Sequence, residues 1–256
     1  MRDMRGVVLL ICVLLLVGAS YETFWNFPEL PPPSQYGNFL LNRTSEKAGQ
    51  KPAIFSHWVH RTRYTCRVCH FELDFAMKTG DTEITEEANL NGEYCGACHN
   101  GDIAFGHTED NCDKCHNGNI DYGREKFEEL SKRLPKTPFG DKINWSRAIR
   151  KGLISPKQSV FDDNYESIPF KKTLVLQPEW SMADDAVSVF RHKTHIRWLD
   201  CADCHPDIFN IKEKGTKHFR MKYILERKFC GACHYNVALP VQFCRPCHPK
   251  IKTKKY

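Results

Sequence analysis

Long apolar runs are scarce in this chain of 256 residues. The longest, Gly6 to Ala19, has 14 residues, short of the roughly 20 that a membrane-spanning helix needs. No glycine-rich nucleotide loop occurs, and no nucleophile stands beside a base in sequence, so those chemistries are not written here. Mean hydropathy is −0.52, and side chains this polar would by themselves build only a marginal core. Residues 117–189 hold neither Cys nor His. Both residues are plentiful elsewhere, with 13 Cys and 12 His in the chain.

Twelve of those cysteines fall in six copies of Cys-x-x-Cys-His: Cys66/Cys69/His70, Cys95/Cys98/His99, Cys112/Cys115/His116, Cys201/Cys204/His205, Cys230/Cys233/His234 and Cys244/Cys247/His248. Two thiols at i and i+3 can reach the two vinyl groups of one porphyrin, and the next residue on the same turn can ligate its iron. The pattern predicts six covalently bound c-type haems. Zinc ribbons use two Cys-x-x-Cys pairs per metal and need no His after each. A disulfide framework also leaves the histidines unexplained, and a thioredoxin-like motif occurs once rather than six times.

Six histidines remain outside the motifs: His57, His60, His107, His192, His195 and His218. That is one per motif, and a neutral imidazole is a good sixth ligand for iron. Each haem is therefore expected to carry two imidazoles, one proximal from the motif and one distal from this set.

A shift of 135 residues maps His57 onto His192, His60 onto His195, Cys66 onto Cys201 and Cys95 onto Cys230. Self-similarity of this kind marks a repeated structural unit. The register breaks before the third motif, where Cys112 aligns with Cys244 only after a three-residue deletion. His107 has no counterpart in the second unit, which has His218 instead.

Phe55-x-His57-x-x-His60 followed by three motifs resembles the small class III triheme periplasmic cytochromes of metal- and sulfur-reducing bacteria. Two such modules in tandem resemble their multi-module relatives. The resemblance covers 55–116 and 190–248. It implies the pairings His57 with His70, His60 with His99, His192 with His205, and His195 with His234. For the third haem of each unit it implies His107 with His116 and His218 with His248; His107 lies between the second and third motifs, where the small relatives place this ligand before the second.

The expected organisation is a signal peptide or membrane anchor over 1–20 and a Pro-rich tether over 21–54. A first triheme module over 55–120, a spacer over 121–189, a second module over 190–250 and a basic tail over 251–256 follow. The basic start, apolar run and small residues at Gly18, Ala19 and Ser20 favour a cleaved secretory signal over an anchor. Cys12 is apolar filler in that run. Within the spacer, Phe127, Leu130 and Leu134 predict an amphipathic helix over 124–134. A second helix is expected over 145–152 and a strand over 173–176. Elsewhere the fold is expected to be mostly irregular with short α-helices, cored by haem. Phe55, Trp58, Phe190 and Trp198 are expected to pack on porphyrin.

The chain carries a formal +6. Each oxidised haem adds about −1 through its propionates, so the basic excess serves them rather than nucleic acid, although the tail Lys250–Lys255 could dock an acidic partner. Closed, low-potential, bis-imidazole sites suit outer-sphere electron transfer in anaerobic respiration. The expected partners are a quinol-oxidising complex of the inner membrane upstream and other multihaem cytochromes downstream. A multihaem reductase with one open iron, or a subunit of an extracellular cytochrome filament, are the alternatives.

Overall fold

The computed structural model describes residues 27–177, 187–209 and 220–252. The expected signal or anchor, His218 and residues 253–256 lie outside the described residues. Among the described residues no helix is long and apolar enough to cross a membrane.

Short helices and two small sheets are joined by irregular chain. Strand β1 (Asn38–Leu41) pairs antiparallel with β2 (Ala53–Ser56), Asn38 opposite Ser56. β2 runs straight into helix α1 (His57–Arg61). In the second unit β3 (Thr173–Leu176) pairs with β4 (Ser188–Arg191), Thr173 opposite Arg191, and β4 runs into α6 (His192–His195). The shift of 135 residues carries β1 onto β3 and β2 onto β4 without a slip. The repeat thus extends upstream to 38 and 173, into residues that the sequence marks only as tether and spacer.

The first unit continues with a π-type turn over Val68–Glu72, α2 (Glu86–Leu90), a 3-10 turn over Tyr94–Ala97, another over Glu109–Asn111, and α3 (Cys112–Cys115). The second adds α7 (Met221–Leu225) and α8 (Gly231–His234).

Between them lies the side-chain core. Helix α4 (Arg124–Arg133) starts after Gly123, whose φ of 81° is open to glycine at little cost, and stops before Pro135. Helix α5 (Trp145–Arg150) is capped by the Asn144 side chain, which accepts from the Arg147 N–H. Phe127 and Leu134, on one face of the α4 segment, meet Trp145 and Ala148 of α5, with Ile143 and Trp58 completing the cluster. Trp58 is buried there, edge-on to Phe127 at 5.4 Å between ring centres. Its place is in the spacer core, and Trp198 packs against the same cluster. The reason is positional: α1 turns His57 and His60 one way and sends Trp58 the other.

The second unit is tied both to the N-terminal segment and to the first unit. Tyr36 donates its hydroxyl to Ala238 O at 2.6 Å, Arg61 donates to Val237 O at 3.1 Å, and Gln242 donates to Pro28 O at 2.7 Å.

Candidate haem-attachment sites

In five motifs the His backbone N–H donates to the first cysteine's carbonyl: His99 to Cys95, His116 to Cys112, His205 to Cys201, His234 to Cys230 and His248 to Cys244, at 2.8–2.9 Å. One helical turn therefore stacks the imidazole over the first thiol. The first motif instead runs into a wider π-type turn over Val68–Glu72 that contains Cys69 and His70. All twelve motif cysteines are free of disulfides.

Burial pushes the thiols up: Cys69 and Cys233 to about 12, Cys95, Cys204 and Cys230 to about 11. Neighbouring thiols add to the rise. Such sulfurs resist becoming thiolates, so they are poor redox nucleophiles. A neutral thioether is indifferent to the same burial. Among the described residues no group of three or more His, Cys, Asp or Glu side chains is gathered for a bare metal ion.

The histidines are oriented by main-chain carbonyls. Nδ1 of His57 lies 2.7 Å from Gly37 O, and that of His192 lies 2.9 Å from Lys172 O, positions again separated by 135. His60 uses Ser56 O at 3.0 Å and His195 uses Arg191 O at 2.9 Å. Among the motif histidines, His70 uses Phe75 O, His99 Phe105 O, His116 Lys51 O, His205 Phe209 O and His234 Leu239 O, all within 2.7–3.1 Å. A carbonyl can only accept, so in each ring Nδ1 carries the proton and Nε2 keeps its lone pair for a metal. His248 is the exception, its Nδ1 buried without a partner. The position equivalent to Lys51 in the second unit, Ala186, is outside the described residues.

Two imidazole pairs face each other. The ring centres of His60 and His99 are 6.3 Å apart, and those of His195 and His234 are 6.1 Å apart. Two metal–nitrogen bonds of roughly 2 Å on opposite sides of one iron place ring centres roughly 6 Å apart. Phe55 holds the first arrangement, stacked on His60 at 4.6 Å and edge-on to His57 at 4.8 Å. Phe190 repeats it, stacked on His195 at 4.3 Å and edge-on to His192 at 4.8 Å. These phenylalanines pack on the imidazoles themselves. Burial is the main cause that pushes the pKa of His57 down to about 3, with the hydrogen bond to Gly37 working the other way. It also lowers those of His60, His70, His99, His195 and His234. The neutral, ligating form is the one these sites favour.

His57 lies close enough to His70 to feel its charge. His107 is exposed and acts electrostatically on His99.

The thiols, the tautomers and the spacing of the imidazole pairs fit haem. Residues 53–117 and 188–249 both match the family described as cytochrome c7 and related cytochrome c. The chain is a multihaem c-type cytochrome. Its two tandem modules bind haem covalently, and its twelve motif cysteines have the spacing for six. No curated protein matches the cytochrome. A solved C-terminal hexaheme fragment of GSU1996 is 25% identical, covers 86% of this chain and 99% of that one, and has a TM-score of 0.28. The dodecaheme cytochrome c GSU1996 is 24% identical over 86% and 76%, with a TM-score of 0.29.

The glycines of the second and fifth motifs are functional residues that sequence reasoning passed over. A Cβ on Gly96 would stand 1.8 Å from Asn89 O of α2, and one on Gly231 would stand 2.0 Å from Ile224 O of α7. Each lets a helix backbone press directly on an attachment turn.

Proposed function

We propose that the cytochrome carries six haems, each closed by its motif His and one of the six spare His, and moves electrons along them outside the cytoplasm in anaerobic, metal-reducing respiration. The modules are those of 55–120 and 190–250, and the chain is exported by its N-terminal segment. Bound haem supplies one-electron exchange between ferric and ferrous iron. The chain's residues orient the imidazoles through backbone carbonyls and brace them with Phe55 and Phe190. A quinol-oxidising complex upstream and other multihaem cytochromes downstream are the partners.

The facing pairs His60/His99 and His195/His234 carry this reading, because both already have the separation that one iron between two imidazoles demands. Electron paramagnetic resonance of the fully oxidised holoprotein tests it. Low-spin signals alone, integrating to six haems, are expected. A stoichiometric high-spin signal would mean an open iron and would turn the reading towards a reductase. One observation favours that second reading at the third motif: His107 is exposed and lies by His99.

A further inference from the structure

The two modules meet across a buried cluster of charge. Arg67, between the cysteines of the first motif, is 7% exposed. Its Nε donates to Asp200 Oδ2 at 3.0 Å, and Asp200 immediately precedes Cys201 of the fourth motif. Its Nη1 donates to Glu72 Oε1 at 2.5 Å and to Gln158 O at 2.8 Å, and its backbone N–H donates to Trp198 O at 2.8 Å. The guanidinium lies 3.7 Å from the centre of the Tyr165 ring, whose hydroxyl donates to the same Asp200 oxygen at 3.1 Å. Glu72 is held in turn by Ser159 and the Val160 N–H. Module 1, spacer and module 2 all converge on one side chain. Among the described residues the third motif makes no comparable hydrogen bond or ion pair to module 2: Cys112 is exposed, and α3 packs on β2 of its own module. The order of neighbouring thiols agrees. Cys115 reaches Cys95, Cys95 and Cys98 reach Cys69, and Cys66 reaches Cys204 and Cys233 across the boundary.

We propose that module 1 connects to module 2 through its first attachment site and not its third, with Arg67 the residue that positions the turns Cys66–His70 and Cys201–His205. This rests on the reading that every motif carries haem. Within module 1 the route then runs third, second, first, against the order of the sequence. Anomalous X-ray scattering from the holoprotein locates the irons. The iron held by His70 is expected to be the one in module 1 nearest to module 2. Finding the iron of His116 or His99 nearest overturns the proposal, whereas fewer than six attached haems by mass spectrometry overturns the reading beneath it. In solution Arg67→Gln should shift the reduction potentials of the first and fourth haems and leave the third and sixth unmoved, with Arg67→Lys recovering part of the shift. Equal shifts at all six would reduce Arg67 to a packing residue and refute its positioning role.

Discussion

Replacing Gly96 by Ala should damage the second haem site far more than one methyl group suggests. The added carbon would sit 1.8 Å from Asn89 O, 2.6 Å from Asn89 C and 2.9 Å from Asn89 Cα, where ordinary contact begins near 3.4 Å. All three atoms are backbone, so no side chain can swing aside. Helix α2 must retreat by more than 1 Å or the turn bearing Cys95, Cys98 and His99 must shift, and overpacking of this kind costs about 2–3 kcal/mol. In a chain of this size that lowers Tm by about 4–12 °C. Because His99 faces His60, the displaced turn should also weaken the closure of that iron. Differential scanning calorimetry of the holoprotein measures the first effect and electron paramagnetic resonance the second. Asp113→Ala, at the same place in the third motif but exposed, is the control and should change neither. An unchanged Tm and an unchanged low-spin spectrum in Gly96→Ala would refute the reasoning. Gly231→Ala should reproduce the damage in module 2.

Trp58→Ala should cost about 3–5 kcal/mol by opening the spacer core, whereas Phe161→Ala, at a residue 73% exposed, should fall within about 0.5 kcal/mol; guanidinium unfolding separates them. His60→Ala should convert one haem of module 1 to high spin while His195→Ala does the same in module 2, each read as a single-haem change in the resonance spectrum. Acid should open the buried sites progressively. His57 has its pKa pushed from 6.5 to about 3 in the folded chain, so below pH 6.5 the unfolded chain takes a proton that the native site refuses. The stability is therefore complete above pH 6.5 and falls as pH drops towards 3, and a low-spin absorbance spectrum indifferent to pH across that window would contradict it.

Much of the attachment chemistry was legible because it resides in residue type. Thiol and imidazole positions stand in the letters, as do helix α4, helix α5 and strand β3, whose apolar periodicity and flanking Pro and Gly show in one pass. What escaped notice depends on atoms that every residue possesses. Gly37 O and Lys172 O orient equivalent histidines, yet a carbonyl acceptor leaves no trace in a side-chain pattern. The pairing of β1 with β2 hides in the same way, because four residues are too few for alternation to speak. Trp58 misled for a different reason: its neighbours are ligands, but one residue along a helix points about 100° away from them. The Arg67 cluster joins residues 133 apart in sequence, and no local rule pairs an arginine inside one motif with an aspartate before another.

That cluster is also one-sided. The shift that superposes the modules takes Arg67 to Ala202 and Asp200 to Thr65, so each half of the clasp exists in one copy only. The arginine belongs to the first module and the carboxylate to the second. Duplication made the modules alike, and divergence at this single pair of positions fixes which copy gives and which receives.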